Sequence, residues 1–196
     1  SLAVGKRNVG KNISRLLESC VQLESLDLHW YNLRLARLND AEIEDRRFFN
    51  HIIQSTQFSQ LRHCSLKGIY TDEDALLTFL KKATELSRLS MEEIHLEQGK
   101  FGPVFDYLTS TMRHLEYLHL DDHWESRLIC FDSPGQPHFS CSAANGPNSI
   151  TKIGKDCQRR IKYHLMRGHS IGSAKTANWH RSSALLYGPP NFWSVL

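Results

Sequence analysis

Leu86-Ser-Arg-Leu89-Ser-Met91 and Leu115-Glu-Tyr-Leu118-His-Leu120 spell one pattern, with large apolar residues at the first, fourth and sixth places and polar residues between them. The same spelling occurs earlier as Leu23-Glu-Ser-Leu26-Asp-Leu28 and Leu61-Arg-His-Cys64-Ser-Leu66. The starts at 23, 61, 86 and 115 lie 38, 25 and 29 residues apart. The last two intervals fall in the range of roughly 20 to 29 residues that leucine-rich repeats use, and the first is about ten too long. Each copy ends in strict alternation, the period of a strand with one buried side.

Helical patterns lie between these strands. Thr71-Asp-Glu-Asp74 reads as a capping box in which the Thr71 side chain accepts from the Asp74 N–H, ahead of Leu76, Leu77, Phe79, Leu80 and Ala83. Lys81 and Lys82 suit the negative end of that helix. Asp40 is placed to cap a segment with Ile43, Phe48, Ile52 and Ile53. Pro103 suits a first turn before Val104, Phe105 and Leu108, and Asn12 is read as the cap before Ile13, Leu16 and Leu17. The expected fold is therefore α/β: a leucine-rich-repeat-like solenoid of about four strand–helix units with parallel strands over residues 1–125, followed by an irregular tail.

The tail, residues 126–196, holds 9 Lys and Arg against 2 Asp and Glu, whereas residues 1–125 hold 15 against 19. The whole-chain charge of +3 hides this split. With 10 Ser, 6 Gly and 5 Pro in 71 residues, the tail is expected to be partly ordered at best, with some order where Ile161 to Leu165 alternates. Trp179, Phe192 and Trp193 are candidates to dock on the repeats. No run reaches the ~18 apolar residues of a membrane span, and the opening lacks the apolar centre of a secretory signal. A chain opening on Ser rather than Met is expected to be a fragment or a processed product. Five cysteines at irregular spacing, with no Cys-x-x-Cys pair, suggest reduced thiols with Cys64 in the core and a cytoplasmic or nuclear location.

Leu66-Lys-Gly-Ile-Tyr-Thr-Asp-Glu-Asp-Ala-Leu-Leu-Thr-Phe-Leu80, then Gly102-Pro-Val-Phe-Asp-Tyr-Leu108 leading into Leu115-Glu-Tyr-Leu-His-Leu120, resembles the leucine-rich-repeat-like proteins of filamentous fungi. Tyr187-Gly-Pro-Pro190 is similar to the ending of that group, many members of which carry an F-box at the N-terminus. The resemblance implies a protein-binding scaffold, plausible as the substrate-recognition part of a ubiquitin-ligase adaptor. Two features depart from the family: no F-box motif precedes the repeats, and the Asn or Cys that follows each strand is replaced by Tyr31, Ile69, Ile94 and His123.

In such stacks the polar strand residues line a concave face, which here would carry Asp27, His29, Ser65, Lys67, Ser90, Glu92, His119 and Asp121, flanked by Ser25, His63, Arg88 and Tyr117. A face of mixed sign suits a protein partner and argues against duplex nucleic acid, which needs a uniformly basic one. Trp30, Tyr31 and Trp124 stand at loop positions, where they either pack over the stack or anchor a partner.

Catalytic readings are weaker. Gly168-His-Ser170-Ile-Gly172 matches a nucleophile elbow, but the last acidic residue is Asp156 and no orienting carboxylate follows Ser170. Gly5 to Gly10-Lys11-Asn12 has phosphate-loop spacing with Asn12 in place of the magnesium-binding hydroxyl. His114, His119 and His123 with Asp121 and Asp122 are metal-capable, and alternation puts His119, Asp121 and His123 on one side. The expected chain is thus not an enzyme and uses no cofactor. A serine hydrolase centred on Ser170 and nucleic-acid contact through the basic tail stand as the alternatives.

Overall fold

A computed structural model describes residues 9–20, 22–30, 48–132 and 146–166. The four repeated segments form the strands β1 (Ser25–His29), β2 (His63–Lys67), β4 (Arg88–Glu92) and β6 (Tyr117–Asp121). They lie side by side in sequence order and all run parallel. The register follows the sequence pattern, so that Leu28, Leu66, Met91 and Leu120 are direct neighbours, as are Leu26, Cys64, Leu89 and Leu118. A fifth strand, β8 (Ser149–Ile153), pairs antiparallel with β6 and ends the sheet. The result is a mixed α/β fold around a mostly parallel sheet.

Each parallel strand needs a long return, and helices supply it. Helix α1 (Val9–Ser19) precedes β1, α2 (Phe48–Ser55) precedes β2, α3 (Glu73–Lys82) precedes β4 and α4 (Phe101–Ser110) precedes β6. Phe48, Phe49, Ile52 and Ile53 of α2, Leu76, Phe79 and Leu80 of α3, and Val104, Phe105 and Leu108 of α4 are buried. They join the inward strand residues in one hydrophobic cluster. Helices thus cover one side of the sheet and leave the polar side uncovered by them.

After each strand the chain turns a corner. Gly68, Glu93 and Asp122 occupy the same place in successive units and all take positive φ, at 70°, 52° and 50°. Their N–H groups donate to Glu92, Asp121 and Asn148 carbonyls, so the ladder continues through the bend. The corner turns Ile69, Ile94 and His123 into the core, where each is at most 1% exposed. Two isoleucines and a histidine thus form a buried column at these corners. Short strands β3 (Tyr70–Asp72) and β5 (His95–Gln98) follow and pair parallel in a second small sheet. Tyr70, His95 and Trp124 stack there, with ring centroids 4.5 and 5.9 Å apart.

Two local expectations are corrected. The cap of α3 is Asp72, whose carboxylate accepts from the Ala75 N–H at 2.7 Å, one residue beyond the expected Thr71. The Thr71 hydroxyl instead donates to Asn50 Oδ1 at 2.7 Å, tying α3 to α2. Lys81 and Lys82 lie in the last turn of α3 as expected, and Lys82 Nζ also donates to the carbonyls of Ile53 and Thr56 at the end of α2. Asn12 lies inside α1 rather than at its start. Asp40, Ile43, Tyr31, Trp179, Phe192 and Trp193 fall outside the described residues.

Helix α4 has no cap from its own Lys100, so acids from elsewhere fill the role. Glu73 Oε2 accepts from the Lys100 N–H at 2.8 Å, and Glu125 Oε2 accepts from the Phe101 N–H at 2.9 Å. Gly99 is required beside Glu73: its φ is +87° and an added Cβ would lie 2.4 Å from Glu73 Cβ. Glu125→Ala is expected to cost about 1–2 kcal/mol, the usual worth of a lost N-terminal cap, measured as a lower urea midpoint with an unchanged slope. A midpoint equal to wild type would show that solvent replaces the carboxylate.

Past residue 125 the chain adds β7 (Ile129–Phe131), β8, a 3-10 turn at Gly154–Gln158 and β9 (Tyr163–Leu165), which pairs antiparallel with β7. Contacts group Ser1–Met166 in one unit and Arg167–Leu196 in another. Among the described residues no helix is long and apolar enough to cross a membrane.

Candidate functional site

Alternation in register builds the polar side of the sheet. Because side chains point to opposite faces with period 2, aligned strands carry their polar residues into rows across the sheet. The upper row is His29, Lys67, Glu92 and Asp121, ending at Ser149 of β8. The middle row is Asp27, Ser65, Ser90 and His119, ending at Thr151, and the lower row is Ser25, His63, Arg88 and Tyr117, ending at Ile153. All eight residues singled out from the sequence, and the four flanking them, are therefore brought together on one surface.

Many of these groups are already engaged with one another. Lys67 Nζ lies 2.6 Å from Glu92 Oε2, a bridge between neighbouring strands with both side chains about one-quarter exposed. Burial raises the Glu92 pKa, but the Lys67 hydrogen bond and charge, with help from His119, more than offset this and hold the carboxyl below its ordinary value. His29 Nε2 meets Asp27 Oδ1 at 2.8 Å along β1. His119 Nδ1 is 2.9 Å from Thr151 Oγ1 across the β6–β8 pair. The Arg88 guanidinium stands 4.7 Å over the Tyr117 ring. At the centre Ser65 and Ser90 are register partners, two small side chains with larger groups above and below.

The histidine cluster is not brought together. The alternation expected for His119, Asp121 and His123 stops at Asp121, because positive φ at Asp122 turns the chain and sends His123 into the core. There the ring packs edge-on to Phe101 at 4.8 Å and its Nδ1 lies 2.9 Å from the Asp121 carbonyl. Nε2 has no partner among the described residues, and burial pushes the pKa down to about 3. A neutral ring whose Nδ1–H donates to the carbonyl satisfies both facts. Among the described residues no three His, Cys, Asp or Glu side chains form a metal-capable group.

Other sequence candidates are placed as follows. Gly168 to Gly172, with Ser170, lies outside the described residues, and the strand before it, β9, belongs to the two-stranded antiparallel ribbon with β7. Gly10, Lys11 and Asn12 lie within α1. Trp30 stacks on Phe48 at 4.1 Å, and Trp124 is 8% exposed against His95, so both pack on the fold. Cys64, Cys130 and Cys157 are buried free thiols, with that of Cys64 strongly raised in pKa by burial and then by Asp27. Sequence reasoning missed Ile153, an exposed aliphatic side chain at the end of the lower row. Its alternating segment, Ser149-Ile-Thr-Lys-Ile153, was the available signal.

Comparison of this chain with protein-family models, with characterised proteins and with solved structures finds no match in any of the three.

Proposed function

We propose that the chain is a leucine-rich-repeat-like solenoid that works as a non-enzymatic protein-interaction module, and that its partner is another protein held on the polar side of the sheet. The observation that carries this reading is the register. Four strands in sequence order put twelve polar or aromatic side chains in three rows on a surface that none of the described helices covers. Charge of both signs on one surface favours a protein partner over nucleic acid. The resemblance to fungal F-box-associated proteins extends the reading to substrate recognition within a ubiquitin-ligase adaptor. Buried free thiols at Cys64, Cys130 and Cys157 fit a reducing compartment, cytoplasm or nucleus.

The surface can be tested without disturbing its internal pairs. Exchanging Lys67 and Glu92 would merely rebuild their bridge in reverse, whereas Ser65→Arg places a long side chain at the centre. We expect Ser65→Arg to remove the proteins captured by wild type from a fungal lysate while melting temperature stays within about 2 °C, as for a surface change. Capture that survives Ser65→Arg in a folded variant overturns the reading.

A further inference from the structure

The polar surface is of mixed sign in sequence, but its charges are not equally available once folded. Asp27 is paired with His29 and Glu92 with Lys67, and Asp121 also has a partner. Each acid of the three rows thus has at least one interaction partner, and that of Glu92 is a cation. His63 and Arg88 are register partners in the lower row, both exposed, and neither has an acidic partner among the described residues. Arg88 is held over the Tyr117 ring, a contact that orients the guanidinium without neutralising it. Glu24 and Glu116 stand at the rim just before β1 and β6, outside the rows, and form no ion pair with His63 or Arg88.

The same row continues from Arg88 through Tyr117 to Ile153, which is 68% exposed. An imidazole and a guanidinium therefore stand towards one end of the row and an aromatic and an aliphatic side chain at the other. Ser65 and Ser90 lie one row above His63 and Arg88 and leave room for an incoming side chain; the Ser90 hydroxyl already donates to Glu92 Oε1 at 3.5 Å.

Resting on the interaction reading above, we propose that this lower row recognises an extended segment of a partner protein in which an acidic side chain meets His63 and Arg88 and an apolar one packs on Tyr117 and Ile153. Neighbouring strands are ~4.8 Å apart, so the two halves of the site are separated by roughly 10 Å, or about three residues of extended chain. The partner motif is thus an acid followed about three positions later by a large apolar residue. The carboxylate gains a charged hydrogen bond from an arginine whose plane is already fixed, and the aliphatic contact gives direction along the row. Phosphate backbones fit less well, because half of the row, Tyr117 and Ile153, offers a polyanion no charge to pair with.

Selection of a random heptapeptide library on the whole chain tests this. The expected pool carries Asp or Glu with a large apolar residue two to four positions later. For such a peptide, combining His63→Glu with Arg88→Glu should weaken binding about tenfold or more, the worth of a charge-assisted hydrogen bond. Selection on that double variant should switch the pool to Lys and Arg. Both positions are exposed, so circular dichroism and melting temperature should match wild type. A pool without acids, an acidic pool indifferent to the charge reversal, or preferential capture of a 20-base-pair DNA duplex overturns the proposal. Non-acidic peptides lost on Ser65→Arg would sink this proposal and leave the interaction reading standing, whereas peptides insensitive to every substitution on this surface sink both.

Discussion

Between pH 7 and pH 5 the chain is expected to lose about 2 kcal/mol of stability through His123 alone, and His123→Ile is expected to abolish that loss. The side chain is 0% exposed, and burial first, then the charge of His119, hold its pKa near 3 against an ordinary 6.5, with the Asp121 carbonyl acting in the opposite direction. The folded state therefore refuses a proton that the unfolded state accepts. A depressed folded pKa means stability fully present above pH 6.5, lost as pH falls through the window down to 3 and constant below it. At about 1.4 kcal/mol per pH unit, the full loss approaches 5 kcal/mol near pH 3. Ile is the replacement the fold itself offers, because Ile69 and Ile94 fill the equivalent corners of the preceding units. At pH 7 the variant gives up one hydrogen bond and sheds one orphaned nitrogen, so its stability there should lie within about 1 kcal/mol of wild type. Urea titrations of both proteins at pH 5 and 7 provide the check. Parallel behaviour of the two would mean that the imidazole finds a proton acceptor or solvent at Nε2 and that its cage is looser than described.

His123 also shows where sequence reading failed and why. Alternation gives a residue's side only while the strand lasts, and nothing in Asp121-Asp122-His123 announces that the strand ends at its first member. Only the unit built on Leu66-Lys67-Gly68 displays its corner openly, through glycine; Glu93 and Asp122 take the same left-handed turn with ordinary side chains. The parallel strands were legible because their period-2 pattern recurs with large aliphatic residues at fixed places. Strand β8 was not, since it follows a Ser-, Gly- and Pro-containing stretch, runs antiparallel and lacks the leading leucine of the repeat. The small β3–β5 sheet was hidden for another reason: each strand buries only one side chain, Thr71 or Leu96.

The surface itself divides in the same way. Membership of the three rows follows from alternation and repeat spacing alone. Which charges remain available does not, because it depends on Lys67 reaching Glu92 on the next strand while His29 folds back on Asp27. Sequence reading shows a surface of mixed sign, whereas the fold pairs Glu92 with Lys67 and sets Asp27 against His29, while Arg88 has no acidic partner among the described residues.

Leu89→Ala should destabilise the chain by about 3–4 kcal/mol, against about 1–2 kcal/mol for the same truncation at Leu28. Both leucines point into the core from equivalent strands. Leu89 sits on the central strand, is 0% exposed and has Cys64 and Leu118 as register neighbours on either side. Leu28 sits on the edge strand, is 9% exposed and has a register neighbour only on one side, Leu66. A void under Leu89 is walled by helices and two strands that cannot close in, while the edge can relax. Since one continuous cluster joins the buried residues of α1 through β8, the Leu89 variant should still unfold in a single transition with an unchanged urea slope. Equal costs at the two positions would argue against an ordered stack with a distinct centre and edge. A biphasic transition for Leu89→Ala would show that the units on either side of β4 hold together separately, and the aligned rows would then be a property of two half-surfaces rather than of one.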